Sequence, residues 1–353
     1  MHIPDGYLNP STCAALYAGA VPFWAVALRR LRRLLTGRFV PTLALVAAFS
    51  FVVMMFNLPL PGGTTGHATG VALAVIVVGP AGSIVAISVA LLIQALFFGD
   101  GGITAFGANS FNMAVVGSLV AYVCYRLIAG RAPLTSRLRV VAAAAAGYMA
   151  INASALCAAI EFGIQPMLFH DSMGTPLYAP YPLRIAVPAM MIGHLTFAGA
   201  AEGVLTAGVI AYLQRSNVRL LEASAPGALG DTATPVVDLL RPLWLALGAL
   251  MVLTPLGLLA GGSAWGEWST RDLADPAMRA RIAVASQSTP LPAVVPHGLT
   301  RLSSIWTAPL RGYAPSFFQS AAVGYALSAM FGAGLVVLTV FAIRGLALKL
   351  RTR

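Results

Sequence analysis

Charge is what this chain has least of. Only 9% of its 353 residues are charged, 11 acids against 22 bases, where an ordinary soluble domain carries about 25%. Hydrophobic residues make up 58%, more than so few charges could screen from water. Soluble, disordered, fibrous and disulfide-stapled classes are excluded, which leaves a polytopic membrane protein. Cysteine is nearly absent as well. Cys13, Cys124 and Cys157 sit singly in or beside apolar runs with no C-x-x-C spacing, so they form neither a disulfide framework nor a zinc site. Lysine occurs once, at Lys349. A P-loop needs a lysine after its glycines, so this chain has no ATP site of that kind and any ATP must be hydrolysed elsewhere. H-E-x-x-H and G-x-S-x-G are missing too, and no nucleophile–base pair stands out. The chain is not read as an enzyme.

What is present is a patterned set of bases. The net charge of +11 suggests nucleic acid until the arginines are placed. They gather at Arg29, Arg30, Arg32, Arg33 and Arg38; at Arg126, Arg131, Arg137 and Arg139; at Arg215, Arg219 and Arg241; and at Arg344, Lys349, Arg351 and Arg353. Each group borders a long apolar run, the positive-inside pattern of a protein embedded in a bilayer, with no nucleic-acid partner. Candidate spans lie near 12–28, 41–57, 68–80, 82–98, 108–126, 140–162, 186–213, 242–260 and 322–343. The third is short, and Gly79-Pro80-Ala81-Gly82 is expected to turn it into the fourth. The predicted fold is therefore all-α, with about nine transmembrane helices (seven plus two), the N-terminus outside and the C-terminus cytoplasmic. That count puts all four basic groups on one side. No signal peptide precedes the first span, so the mature chain is expected to begin Met-His.

The division expected from composition is 1–213, a seven-span part; 214–240, a cytoplasmic linker; and 241–353, two spans around an outer loop at 261–321. Trp265, Trp268 and Trp306 in that loop read as interfacial anchors.

The outer face carries the chemistry. A free amine at Met1, the backbone nitrogen of residue 2 and Nδ1 of His2 can chelate one metal in adjacent five- and six-membered rings. Three nearly coplanar nitrogens suit Ni(II) or Cu(II), and Co(II) can be accommodated. Pro4-Asp5-Gly6 supplies a turn, and the polar lead is expected to be mobile until a ligand orders it. Pro59 to His67 is a rigid glycine-rich run on the same side. His67 reads equally as a fourth ligand or as a helix-capping, interfacial histidine. Asp100, in a glycine turn, reads as a cap of that turn or as a carboxylate orienting a ligating imidazole; Asp5 and Asn109 are further supporting candidates. Inside the membrane His194 and Glu202 share a helix and can face one groove as a polar pair, either for a proton or ion relay or for packing. Glu161 is expected at the outer interface; His170 and His297 are expected in solvated loops.

Three stretches together resemble one family. Met1-His2-Ile3-Pro4-Asp5-Gly6, the PGGTTGH run ending at His67, and the FFGDGG-to-GAN-x-FNM stretch from Phe97 to Met113 are similar to the CbiM/NikM family. These are the cobalt- or nickel-specific membrane components of energy-coupling factor (ECF) transporters. The resemblance covers 1–213; residues 241–353 resemble the small CbiN/NikN accessory component, although Pro255-Leu256-Gly257-Leu258-Leu259 stands where the family often has PDGLE. The resemblance implies Co2+ or Ni2+ as transported substrate, held by Met1, His2 and His67. It also implies a multi-pass protein of the inner (plasma) membrane, partnered by a transmembrane scaffold subunit and cytoplasmic ATPases. The residues themselves leave an alternative open: a self-sufficient, proton-coupled permease using His194 and Glu202.

Overall fold

The computed structural model describes residues 1–34, 39–224, 236–314 and 317–349. Arg38, Arg351, Arg353 and the middle of the expected linker, 225–235, lie outside them. The fold is all-α and polytopic. Its main helices are α1 (Pro10–Leu34), α2 (Phe39–Val53), α3 (Val71–Phe98), α4 (Phe106–Ala129), α5 (Arg137–Leu168), α6 (Leu183–Ser216), α7 (Val236–Leu253) and α8 (Ala321–Lys349). Among the described residues seven helical stretches are long and apolar enough to cross a membrane, and α2, with 15 residues, is a shorter apolar helix.

The expected turn in 68–98 is present. Gly79 takes φ 75° and ψ 168°, outside the helical region, and Pro80 follows. Beyond it Ser83 Oγ reaches back to Val71 O at 3.4 Å. Twelve residues of straight helix would separate them by about 18 Å, so the chain reverses here. The left-handed φ requires glycine at this position. The arm before the turn, with eight residues from Val71 to Val78, rises only about 12 Å and cannot cross a bilayer alone.

α3 is the centre of the bundle, with α1, α2, α4, α5 and α8 packed around it. The two C-terminal helices, α7 and α8, lie against α2. Tyr325 of α8 donates to Met55 O at 3.0 Å, and Gly332 passes over the Phe51 ring. Between α2 and α3 the glycine-rich run is a two-stranded hairpin, β1 (Leu58–Leu60) and β2 (Thr64–Gly66), with Leu58 opposite Gly66 and Leu60 opposite Thr64. His67 follows directly. Three π-helical turns, Gln94–Phe98, Ser110–Val116 and His194–Ala198, interrupt α3, α4 and α6. The first two flank the Asp100–Asn109 loop; such turns recur at functional sites.

Three expectations need correction. The first is the count: the arm Val71–Val78 is no separate span and α2 is short, so among the described residues seven stretches, not nine, are long and apolar enough to cross. Trp265 and Trp268 are not interfacial anchors but buried, stacked edge-on with each other and packed on Tyr181. The 261–321 loop that carries them packs onto the bundle, so aromatic area goes to the core. Trp306 stays exposed and donates to Leu96 O at 2.8 Å. Glu161 is buried rather than interfacial, and accepts from Asn112 Nδ2 at 2.8 Å. His170 and His297 are exposed, as expected.

Glu202 of α6 is fully buried and caps the first turn of α3. One oxygen accepts from Thr69 N at 2.5 Å and Gly70 N at 3.1 Å, and from the Thr69 hydroxyl at 3.3 Å. Without it two N–H groups face an apolar interior, each at about 1–3 kcal/mol. Glu202→Ala should therefore lower stability by about 2–6 kcal/mol, whereas Glu202→Gln, whose carbonyl still accepts, should lose less. Thermal unfolding of both variants in the same detergent checks the order; equal loss would show that acceptance by the side chain does not matter.

Candidate metal site at the buried N-terminus

The lead expected to be mobile is packed. Met1 is 3% exposed, His2 0% and His67 7%, and Ile3, Tyr7 and Leu8 are buried with them. Composition alone missed this because the partners come from distant parts of the chain. Asn109 grips the backbone of Ile3 from both sides, its Oδ1 accepting from Ile3 N at 2.8 Å and its Nδ2 donating to Ile3 O at 3.1 Å. Gly102 N donates to the same carbonyl at 2.8 Å. Asp5 accepts from Ile103 N at 3.1 Å, from Thr104 N at 2.7 Å and from the Thr104 hydroxyl. Any side chain at Gly102 would collide with Asp5, so glycine there is what lets the loop close on the lead. Asp5 and Asn109 thus hold the lead's backbone and the facing loop rather than an imidazole.

His2 and His67 meet edge-to-face with ring centroids 5.1 Å apart. His67 Nδ1 lies 3.1 Å from Ala68 O; donating to that carbonyl leaves Nε2 with a free lone pair. Burial first, then His2 and the N-terminal amine, keeps this imidazole neutral and lowers its pKa to about 3. His2 Nδ1 lies 3.1 Å from Asp100 Oδ1, and neither His2 ring nitrogen has a hydrogen-bond partner. Asp100 accepts from the Tyr313 hydroxyl at 2.6 Å and from Gln94 Nε2 at 3.5 Å. Burial opposes its ionisation, but His2, His67 and Tyr313 together hold its carboxyl below the usual value. Of its two readings, the structure brings Asp100 to the imidazole.

One residue was not foreseen. Glu267 Oε1 accepts from both the Met1 ammonium and the His2 backbone N–H, each at 2.9 Å. Its one clue in the sequence was scarcity, as one of 11 acids in a segment without periodicity. Tyr313 likewise comes from the 261–321 loop. Among the described residues no group of three or more His, Cys, Asp or Glu side chains could hold a metal. What lies here instead is a mixed set of main-chain and imidazole nitrogens: the Met1 amine and His2 amide, both turned to Glu267, the His2 ring beside Asp100, and the His67 ring against it.

His194 and Glu202 are not brought together as a pair. His194 Nδ1 lies 2.8 Å from Met190 O, and the ring faces a narrow space shared with Met1 and Trp265; Glu202 holds the backbone two and three residues beyond His67.

Residues 2–220 match the family model described as the cobalt uptake substrate-specific transmembrane region, CbiM. The chain is similar to the fused nickel transport protein NikMN of Rhodobacter capsulatus, 56% identical over 96% of this chain and 95% of that protein. It is also similar to the probable fused nickel transport protein LarMN of Lactiplantibacillus plantarum, 42% identical over 98% and 97% respectively. A crystal structure of a truncated transition metal transporter aligns at a TM-score of 0.57 with 50% identity, covering 60% of this chain and 98% of that one. With the buried Met1-His2 lead and the His67 hairpin, these matches settle the family: the chain belongs to CbiM, the cobalt uptake substrate-specific transmembrane region.

Proposed function

We propose that this chain captures a divalent transition metal ion, Ni2+ in the first place and Co2+ as the alternative, and delivers it inward as the substrate-specific component of an ECF-type, ATP-driven importer. The observation that carries the reading is the burial of the N-terminal amine and His2 against His67. The amine's direct partner is the Glu267 carboxylate, and the His2 ring, edge-on to His67, follows it in the chain. The Met1 amine, the His2 backbone nitrogen and His2 Nδ1 supply three donors in two fused chelate rings. His67 supplies the fourth through Nε2, its neutral state fitting a ligand. A plane of four nitrogens, one of them a deprotonated amide, favours Ni(II) over the commoner oxygen-seeking cations. The names of its fused relatives point the same way. Asp100 Oδ1 stands 3.1 Å from His2 Nδ1, the donor atom itself, so on this reading the ion displaces that carboxylate as it binds.

On this reading residues 1–213 form the metal-binding part, 214–240 a cytoplasmic linker and 241–353 the accessory part. A scaffold subunit and cytoplasmic ATPases supply the energy, and the protein sits in the inner membrane with Met1 outside. The contacts of Glu202 with Thr69 and Gly70, and of His194 with Met190, favour anchoring over a proton relay, so the self-sufficient permease is the weaker reading.

Extending the chain before Met1 turns the amine into an amide and breaks the first chelate ring. An N-terminal tag should abolish Ni2+ binding measured by calorimetry, while a C-terminal tag leaves it intact; equal affinities would sink the chelate. His67→Ala removes a ligand outright, so affinity should fall beyond the roughly 10–100-fold typical of losing an outer-shell partner, with the thermal transition little changed. Unaltered affinity would return His67 to a capping role. For orientation, Arg131→Cys in a cysteine-free background should react with impermeant maleimide only after the membrane is opened. Labelling of intact cells would invert the topology.

A further inference from the structure

Residues 263–268 touch both segments that carry the proposed ligands. On one side Thr65 N donates to Ser263 O at 3.2 Å, and Thr65 bridges Ala264, two residues before His67. On the other the Tyr7 hydroxyl donates to Trp268 O at 2.6 Å, and the Met1 and His2 nitrogens reach Glu267. The segment is itself held firmly. Trp265 and Trp268 are buried, Trp265 Nε1 donates to Ser286 Oγ at 3.1 Å, and Glu267 N closes a turn onto Ala264 O at 3.0 Å. Glu267 also borders a cavity of about 620 Å³ between the lead and the 261–321 loop, with Asp100 and Arg311 on its wall.

Two N–H groups that converge on one oxygen also converge on one point. The amine and the amide lie 2.9 Å from Glu267 Oε1, so that atom stands where the two nitrogens are aimed together. We propose that Glu267 is the positioning residue of the metal site: it sets the Met1 and His2 nitrogens side by side before the ion arrives, and the ion then takes them from it. The ion comes in through the cavity, replaces the two N–H···O contacts with two N–metal bonds, and the displaced protons leave to solvent. Glu267 gives up the amine and the amide as this happens, while the Tyr7–Trp268 contact keeps the loop on the lead. Because the nitrogens are already paired, the ordering entropy of the lead is not lost at the moment of binding.

This inference rests on the Met1–His2 chelate, and the experiment separates the two. Ni2+ association with the full-length purified protein is followed by stopped flow, and amide hydrogen exchange over residues 1–8 by mass spectrometry. Glu267→Ala should slow association by about 10-fold or more and raise exchange in the lead. The absorption band of the nickel-loaded protein should stay where it is, since the same four nitrogens bind. Glu267→Gln keeps an acceptor without the charge and should recover part of both rate and protection, which also guards against a misfolded alanine variant. Unchanged rate and exchange in the alanine variant would overturn the proposal. So would a glutamine variant as slow as alanine with its lead fully protected, for Glu267 would then only attract the cation. If instead the wild-type protein and an N-terminally extended one load nickel alike, it is the chelate that fails.

Discussion

A charged amine buried to near-zero exposure has to be compensated, and the architecture around the N-terminus follows from that requirement. In a low-dielectric interior an unpaired ammonium is far more costly than in water, and the lead carries backbone N–H groups besides. The chain has few acids to spend, yet three of them, Asp5, Asp100 and Glu267, touch the lead or the loop that closes on it. They arrive from the lead itself, from the α3–α4 loop and from the 261–321 loop before α8. The segments that would otherwise hang free are thereby tied to one another through the terminus.

Much of this fold could be read from residue order. The turn at Gly79-Pro80 was legible because only glycine tolerates the φ required there and proline ends a helix locally. The Met-His lead, the hairpin ending in His67 and the Asp100–Asn109 loop were legible as motifs, since close backbone approach leaves glycines at fixed places. What could not be read was how far the parts reach. Glu267 pairs with a residue 266 positions away, and no periodicity marks the 261–321 loop as packing onto the bundle. The tryptophans were misread for the same reason: aromatic residues beside a span look alike whether they face lipid headgroups or a core. The lead's predicted mobility rested on its own composition, which says nothing about what folds over it.

The site is assembled from separately anchored pieces. His67 sits between β2, held by Ser263, and the start of α3, held by Glu202 of α6. Ile3 is fixed by Asn109 at the head of α4's π turn, and Asp100 by Tyr313 and Gln94. Four nitrogens can share a plane only if these anchors agree on where it lies. A shift of any one helix therefore acts on the geometry of the donors without touching them, because packed elements move as units rather than deforming.

That division bears on how an importer can both hold and release a tightly chelated ion. In the proposed chelate the nitrogens do not dissociate one by one with ease, so on that reading release comes from moving the frame. Here the frame has two handles on different elements. The 261–321 loop reaches the amine and amide through Glu267, and α6, much of whose remaining surface is exposed, reaches the His67 segment through Glu202. Capture at the first and extraction at the second would then be separate mechanical events on one set of donors.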